Sequence, residues 1–548
     1  MILQVLRCSS LSVWVIVLAA LLAVPILVVL GSVFWPQPEL WQHLRDTVLA
    51  DYVWNSLRLA LGAGVLAGVL GTTLAWYVAR YEFFGRSVLQ WVLLLPMAIP
   101  AYIMAYSYTG LLDFAGPIQT QLRAIFGWSY GDYYFPEIRS LGGAVLMLSL
   151  VLYPYVYLLA RAAFSEQSSS LLEASRTLGW TPKQHFWKVA LPMARPAILT
   201  GMALVMMEAL ADYGTVQYFG VTTFTTGIFR TWFGMGNPLG AAQLAALLCS
   251  VVLVLLYLEQ RSRQRLKFYQ PRQSTQVSER LSLMGFKHAI AVVLCLLPLL
   301  LGFVLPAGQL FYWSLERLDQ LISPEFLRLC WHSFSLACLT SIVVCAVALL
   351  FAYGRRLNPH WLLQWPVRLS AMGYALPGTV IAIGVMMPLA ALDNQLDAWA
   401  EHWFGVRLGL LFSGTLVALV LAYSLRFLAV ALHGLEAGLG RITPSMDQAA
   451  RSLGASPTEA LVRVHLPLLR SSLLVAVILV FVDVLKELPA TLLLRPFNFN
   501  TLSVRAYELA SDERLADAAL PALSIVLVGL LPVVLLSKAL DKSRKSPI

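Results

Sequence analysis

The sequence predicts an all-α polytopic membrane protein of about twelve transmembrane helices, arranged as two parallel six-helix repeats. Three observations carry this reading. Apolar residues make up 59% of the 548-residue chain and charged residues only 12%, with a mean hydropathy of +0.73. Apolar runs long enough to cross a hydrocarbon core, which takes about 20 helical residues, recur along the whole length. A polar stretch, EASRTLGWTPKQHFWKVALPMARPAI at 173–198, returns as QAARSLGASPTEALVRVHLPLLR at 448–470.

Twelve spans are read at 11–34, 53–79, 87–111, 141–163, 197–213, 238–258, 288–313, 332–353, 366–391, 408–432, 472–493 and 517–537. The pattern excludes a membrane barrel, whose strands are short segments of alternating polarity. The first run exceeds the apolar region of a cleaved signal and is preceded only by Arg7, so it reads as a retained helix. With the N-terminus in the cytoplasm, most of the 39 Lys and Arg residues fall in the inner segments, so both termini are expected inside. The net charge of +10 is then an orientation signal. No soluble domain is left to present a nucleic-acid patch, and none is expected. The cysteines (Cys8, Cys249, Cys295, Cys330, Cys338 and Cys345) form no C-x-x-C pair and are expected as apolar fillers, without a disulfide or metal site.

The repeat is specific. With Ala174 set over Ala449, identities follow at Arg176 and Arg451, Leu178 and Leu453, Gly179 and Gly454, and Pro182 and Pro457. They continue at Val189 and Val464, Leu191-Pro192 and Leu466-Pro467, and Arg195 and Arg470. Weaker likeness extends outward, from NSLRLAL at 55 to HSFSLAC at 332 and from Pro100 to Pro377. Six spans per half give the halves the same orientation, so the repeat is parallel about an axis along the membrane normal. The expected organisation is a first half at 1–258, a basic cytoplasmic linker at 259–287 and a second half at 288–548.

Each polar stretch lies in an expected cytoplasmic loop, about 164–196 and 433–471. A short helix ends at Gly179 or Gly454, the residue type that takes the left-handed C′ conformation at least cost. Thr181-Pro182-Lys183-Gln184 or Ser456-Pro457-Thr458-Glu459 then supplies an N-cap, a proline at N1 and the Gln or Glu of a capping box. The second helix is expected to run about two turns before Leu191-Pro192 or Leu466-Pro467 turns the chain into the next span. Small residues on the first helix (Ala174 and Ser175; Ala449 and Ala450) allow a partner to approach closely. Two copies of one rigid shape favour docking over a pair of capped interfacial helices.

The run Glu173-Ala174-Ser175, Gly179, Val189-Ala190-Leu191-Pro192, and its copy Gln448-Ala449-Ala450, Gly454, Val464-His465-Leu466-Pro467, resemble the coupling-loop motif of ABC importer permeases. The segments 208–233 and 483–523 resemble the ferric-iron branch, in which two permease halves are fused; thiamine permeases share the fused layout. The resemblance implies a type I ABC importer permease fold in each half and a multi-pass place in the bacterial inner membrane. It also implies docking of the loops on two copies of an ABC ATPase subunit and substrate from a periplasmic binding protein. Gln448 departs from the motif's glutamate and loses its charge; if that glutamate pairs with a basic group on the ATPase, the second half is expected to dock less strongly. No G-x-x-x-x-G-K-[ST] occurs in the chain, so ATP would be used by the partner and no cofactor is expected here.

Four carboxylates fall in or at the ends of the fifth and eleventh spans, with Glu208 matching Asp483 and Asp212 matching Glu487. Their spacing of four places each pair on one helix face. Charges at membrane depth usually face protein or water. Two readings stand open: the acids line the path, where carboxylates and the adjacent Tyr213 would suit a hard cation, or Lys486, Arg58 or Arg426 neutralises them in structural pairs. Pro96, Pro100 and Pro377 are expected to kink the third and ninth spans. The outer acids Asp512, Glu513 and Asp517 could meet a basic edge of the binding protein, but ordinary solvation is the expectation. An ion-gradient-driven secondary transporter is the rival; it accounts for the acids and leaves the duplicated loops unexplained.

Overall fold

The computed structural model describes residues 9–129, 131–167, 173–175, 177–264, 280–358 and 360–545. Cys8, Arg176 and most of the linker (265–279) lie outside them. Among the described residues eleven helices are long and apolar enough to cross a bilayer; a bent pair, Arg86–Ala98 with Ala101–Phe126 at 90°, makes a twelfth.

The first half contains α1 (Ser9–Gly31), α2 (Leu49–Arg80), α3 (Ala101–Leu112), α4 (Leu141–Ser165), α5 (Leu191–Ala211), the short α6 (Gly214–Tyr218) and α7 (Pro238–Gln264). The second half repeats the order as α8 (Phe286–Leu315), α9 (Pro324–Leu357), α10 (Gly378–Phe404), α11 (Leu416–Leu439), α12 (Leu466–Lys486), the short α13 (Pro489–Leu494) and α14 (Leu515–Lys545). The starts of α4 and α11, and of α5 and α12, fall in the register of the polar repeat.

Each half is organised on a three-helix centre: α2, α4 and α5, matched by α9, α11 and α12. Lipid tails are as apolar as leucine, so association depends on close packing. The buried face of α2 is accordingly small (Ala60, Ala63, Ala67, Gly68 and Gly71). A side chain at Gly71 would run into the backbone of Tyr153 and Tyr157 on α4.

The flanking helices are exchanged. α1 packs against α10 of the second half, where Gly384 meets the carbonyl of Pro25, and Ser370 Oγ donates to Ala19 O at 2.9 Å. α8 packs in turn against the first half: Tyr108 Oη donates to Leu301 O at 2.6 Å, and Trp313 covers Gly110. α7 lies on α10, and α14 lies on α3 and the turn before it. Both hydrophobic cores therefore mix residues of the two halves. The last part of the expected linker is held to the first half: β2 (Leu281–Ser282) pairs in parallel with β1 (Tyr81–Glu82), and Glu82 bridges Arg86 and Arg280 at 3.6 and 3.5 Å.

Several expectations are corrected. The third span is broken rather than kinked: Leu95–Ala98 forms a 3₁₀ turn, and Pro100 is the N-cap of α3. The ninth is split likewise, with Trp361–Ala371 a separate helix, Met372–Ala375 a 3₁₀ turn and Pro377 the N-cap of α10. The expected tenth span, 408–432, starts late because 408–413 folds back on α10, its backbone N–H groups held by Asp397 and the buried Asp393. Hydropathy sees only that Leu408, Leu410 and Leu411 are apolar.

Leu191-Pro192 and Leu466-Pro467 do not turn the chain. The helix runs on from Pro182 to Ala211 and from Pro457 to Lys486. Proline lacks an N–H, and its ring clashes with the carbonyl four residues back. A π turn just before the Leu-Pro pair widens the helix and absorbs both defects, at Phe186–Ala190 and at Leu461–His465. The same device precedes Pro306, at Leu300–Val304.

The exchange is testable by overpacking. Gly384→Ala should lower Tm in detergent, at a cost of about 1–3 kcal/mol. Gly308→Ala, where an added methyl meets nothing, should not. Equal shifts for the two variants would contradict the α1–α10 contact.

Candidate functional site: paired loops and a central cavity

The two polar loops fold alike. Gly179 and Gly454 take positive φ, +71° and +83°. The N–H of Trp180 bonds Ser175 O, and that of Ala455 bonds Ala450 O, both at 3.0 Å, closing each first helix with a Schellman-type turn. Both capping boxes form. Thr181 and Gln184 exchange side chain for backbone, as do Ser456 and Glu459, with Pro182 and Pro457 in the first helical turn.

Glu173, Ala174, Gln448 and Ala449 are exposed, while Ser175 and Ala450 are buried. Leu191 and Leu466 are half-buried, and Pro192 and Pro467 face outward. The loops also present apolar side chains that the motif reading missed. Leu178 is 67% and Leu453 87% exposed, and Trp187 and Val462, at matching positions, are each 60% exposed. The signal was present, since Leu178 and Leu453 are identical within a polar stretch that gains nothing locally from leucine.

Beneath this common shape the ties to the spans differ. In the first half Trp76 of α2 packs on Phe186 and Phe164, with centroids 4.9 and 5.3 Å away. In the second half the tie is polar. Asp447 accepts from Arg356 Nε of α9 at 2.9 Å and meets His465 Nε2 at 2.6 Å, and Tyr353 Oη donates to Pro457 O at 2.7 Å.

All five candidate pathway residues (Glu208, Asp212, Tyr213, Asp483 and Glu487) line one cavity of about 360 Å³ between the halves. They are not equivalent. α5 ends at Ala211 and α12 at Lys486, so Asp212 and Glu487 sit just past the helix ends and not on a shared face with Glu208 and Asp483. Each caps the short helix that follows. Asp212 accepts from the N–H groups of Thr215 and Val216 at 3.0 and 3.1 Å, and Glu487 from those of Ala490 and Thr491 at 3.1 and 3.3 Å. Tyr213 is stacked on Phe229 at 3.8 Å. Glu208 and Asp483 have no hydrogen-bond or salt-bridge partner among the described residues and are left to the cavity.

Tyr102, Tyr155 and Tyr374 add phenols to the lining, and Arg426 and Lys486 add cations. Arg426 Nε lies 3.8 Å from Glu487 Oε1. Arg58 is not a neutraliser; it stands over Trp54, exposed on α2. Among the described residues no group of three or more His, Cys, Asp or Glu is placed to hold a metal ion. Of the outer acids, Asp517 is buried in ion pairs rather than solvated, while Asp512 and Glu513 are exposed. Asp517, 9% exposed, bridges Arg317 and Arg514 at 2.9 and 2.8 Å, and Glu513 reaches Arg139 of the other half at 3.5 Å.

The capping boxes generate a measurable expectation. Thr181→Ala or Ser456→Ala should cost about 1 kcal/mol of local stability. Amide exchange over 182–185 or 457–460 should then quicken by about fivefold, with the other loop unaffected; unchanged exchange would show that the boxes do not hold the loops.

Residues 67–264 and 337–546 each match the family described as binding-protein-dependent transport system inner membrane component. The chain is similar to the Fe(3+)-transport system permease protein FbpB 2 of Haemophilus influenzae, 27% identical over 498 residues that cover 89% of this chain and 90% of that protein. Over shorter stretches it is similar to the molybdenum transport system permease protein ModB of Haemophilus influenzae, 27% identical over 36% of this chain and 85% of that one. The sulfate transport system permease protein CysT of Salmonella typhimurium is 29% identical over 34% of this chain and 65% of its own. With the domain present twice and the spans described above, the chain belongs to the family of binding-protein-dependent transport inner membrane components, the permease subunits of ABC importers, as a fused, multi-pass inner-membrane protein.

Proposed function

We propose that the chain is the membrane path of an ATP-driven importer for ferric iron, delivered by a periplasmic binding protein. The observation that carries the choice of substrate is the cavity between the halves. Its acids are duplicated, Glu208 with Asp483 and Asp212 with Glu487, and phenols surround them. Carboxylate and phenolate oxygens suit a hard cation. A path for an anion such as the sulfate named for the CysT relative would be expected to hold more cations than acids, and among the described lining residues four acids stand with two cations, Arg426 and Lys486.

The two loops would dock on two ATPase subunits that bind and hydrolyse ATP, this chain contributing no cofactor of its own. Leu178 with Trp187, and Leu453 with Val462, are the apolar knobs; Gly179 and Gly454 set their angle; the exposed Ala174 and Ala449 permit close approach, while Ser175 and Ala450 face inward. ATP-driven closure would draw the loops together and rock the halves about the cavity. Both termini would then lie in the cytoplasm.

In proteoliposomes holding the cognate ATPase and binding protein, labelled ferric iron should enter only with ATP. Glu208→Gln with Asp483→Asn should slow uptake by about tenfold, equivalent to about 1.4 kcal/mol in the barrier. Uptake of molybdate or sulfate in place of iron, or iron uptake on an ion gradient without ATP, would overturn the reading. Leu178→Ala with Leu453→Ala should cut ATPase co-purification by about tenfold or more, since each knob is worth about 1.5–3 kcal/mol when buried; full retention would place the dock elsewhere.

A further inference from the structure

The acids of the cavity obey the repeat, and the cations do not. Arg426 on α11 and Lys486 at the end of α12 both belong to the second half. The first half has Val151 and Ala211 at the matching positions, and both line the same cavity. Neither cation is loose. Lys486 Nζ donates to Met97 O across the halves at 2.9 Å, and Arg426 Nη1 donates to Leu376 O at 3.1 Å. These carbonyls lie in the two helix breaks, just before Pro100 and Pro377, where no helical N–H is available to them. The surroundings are shaped for the tethers. A side chain at Gly529 of α14 would meet Ala98 O and Lys486 Cε, and one at Gly378 would meet the Arg426–Glu487 pair. Both cations line the same cavity as Glu208 and Asp483.

We infer that Arg426 and Lys486 are tethered competitors that hold the cavity to weak, transient binding of its cation. This rests on the cation-path reading above. Passage requires a site favourable enough to enter and weak enough to leave. Carboxylates and phenols gathered in one cavity would retain a multivalent hard cation. Two positive charges in the same lining oppose that retention, and the break carbonyls keep them from swinging out of the cavity. The two residues thereby also set specificity: a cation must carry enough charge to outcompete a resident ammonium or guanidinium, which favours a trivalent ion over a monovalent one.

The test is a binding measurement on the purified full-length chain, with terbium(III) as the probe. It is a hard trivalent ion whose emission is excited through nearby tyrosine, and Tyr155, Tyr374 and Tyr102 line the cavity. At low ionic strength Lys486→Gln and, independently, Arg426→Gln should bind terbium at least about tenfold more tightly than the unaltered chain, about 1.4 kcal/mol. Lys486→Arg should behave as the unaltered chain, and adding Asp483→Asn and Glu208→Gln to Lys486→Gln should abolish the gain. Unchanged affinity in both cation variants, or a gain that survives loss of the two acids, would overturn the inference. Failure of ferric uptake by the unaltered complex would instead remove the iron reading, whatever terbium does.

Discussion

A backbone group at membrane depth has no water to bond, so a transmembrane helix can be interrupted only where protein supplies its missing partners. The centre of this protein is organised by that constraint. Four interruptions surround the cavity: after α5, after α12, before α3 and before α10. Asp212 and Glu487 serve the N–H groups that open α6 and α13. Their own carbonyls are taken by Thr225 Oγ1 at 2.7 Å, and by Thr491 Oγ1 and Ser503 Oγ at 2.9 and 2.8 Å. Lys486 and Arg426 serve the other two breaks. The broken backbone accounts for Asp212, Glu487, Arg426 and Lys486 in the cavity lining, while Glu208 and Asp483 serve no backbone group among the described residues.

Much of this was legible in the residues. The paired loops were readable in detail because their chemistry is local: a glycine, a capping residue, a proline and a Gln or Glu at fixed spacing specify a shape without help from distant parts of the chain. The number of spans and the location of the acids were also legible, since both depend on composition along one segment. What was not legible depended on partners far away in sequence. Asp212 and Asp483 look alike in a hydropathy profile, yet one is bound to a following helix and the other is open. Leu191-Pro192 reads as a stop, and only the π turn before it shows how a helix passes a proline. The breaks at Pro100 and Pro377 read as kinks because apolar composition does not record a change of direction.

Duplication preserved shape more strictly than chemistry. The Schellman turns and capping boxes use corresponding residues in both halves, while the contacts beneath them are aromatic around Trp76 in one half and ionic around Asp447 in the other. An aromatic cluster is indifferent to salt, whereas an Arg–Asp–His tie is polarised and directional. The cavity shows the same division: acids are shared by both halves and counter-charges are supplied by one. A fused chain permits this, because each half always meets the same neighbour and has no need to be self-complementary.

The exchange of outer helices bears on how the protein is made. A chain emerging from the ribosome presents α1 first, and domains ordinarily fold as units with the N-terminal one leading. Here the surface that receives α1, on α10, is synthesised more than half a chain later, and α8 is received by helices already in place. The first half therefore cannot finish before the second is inserted. Until then α1 has α7 of its own half to pack on, and neither core is complete.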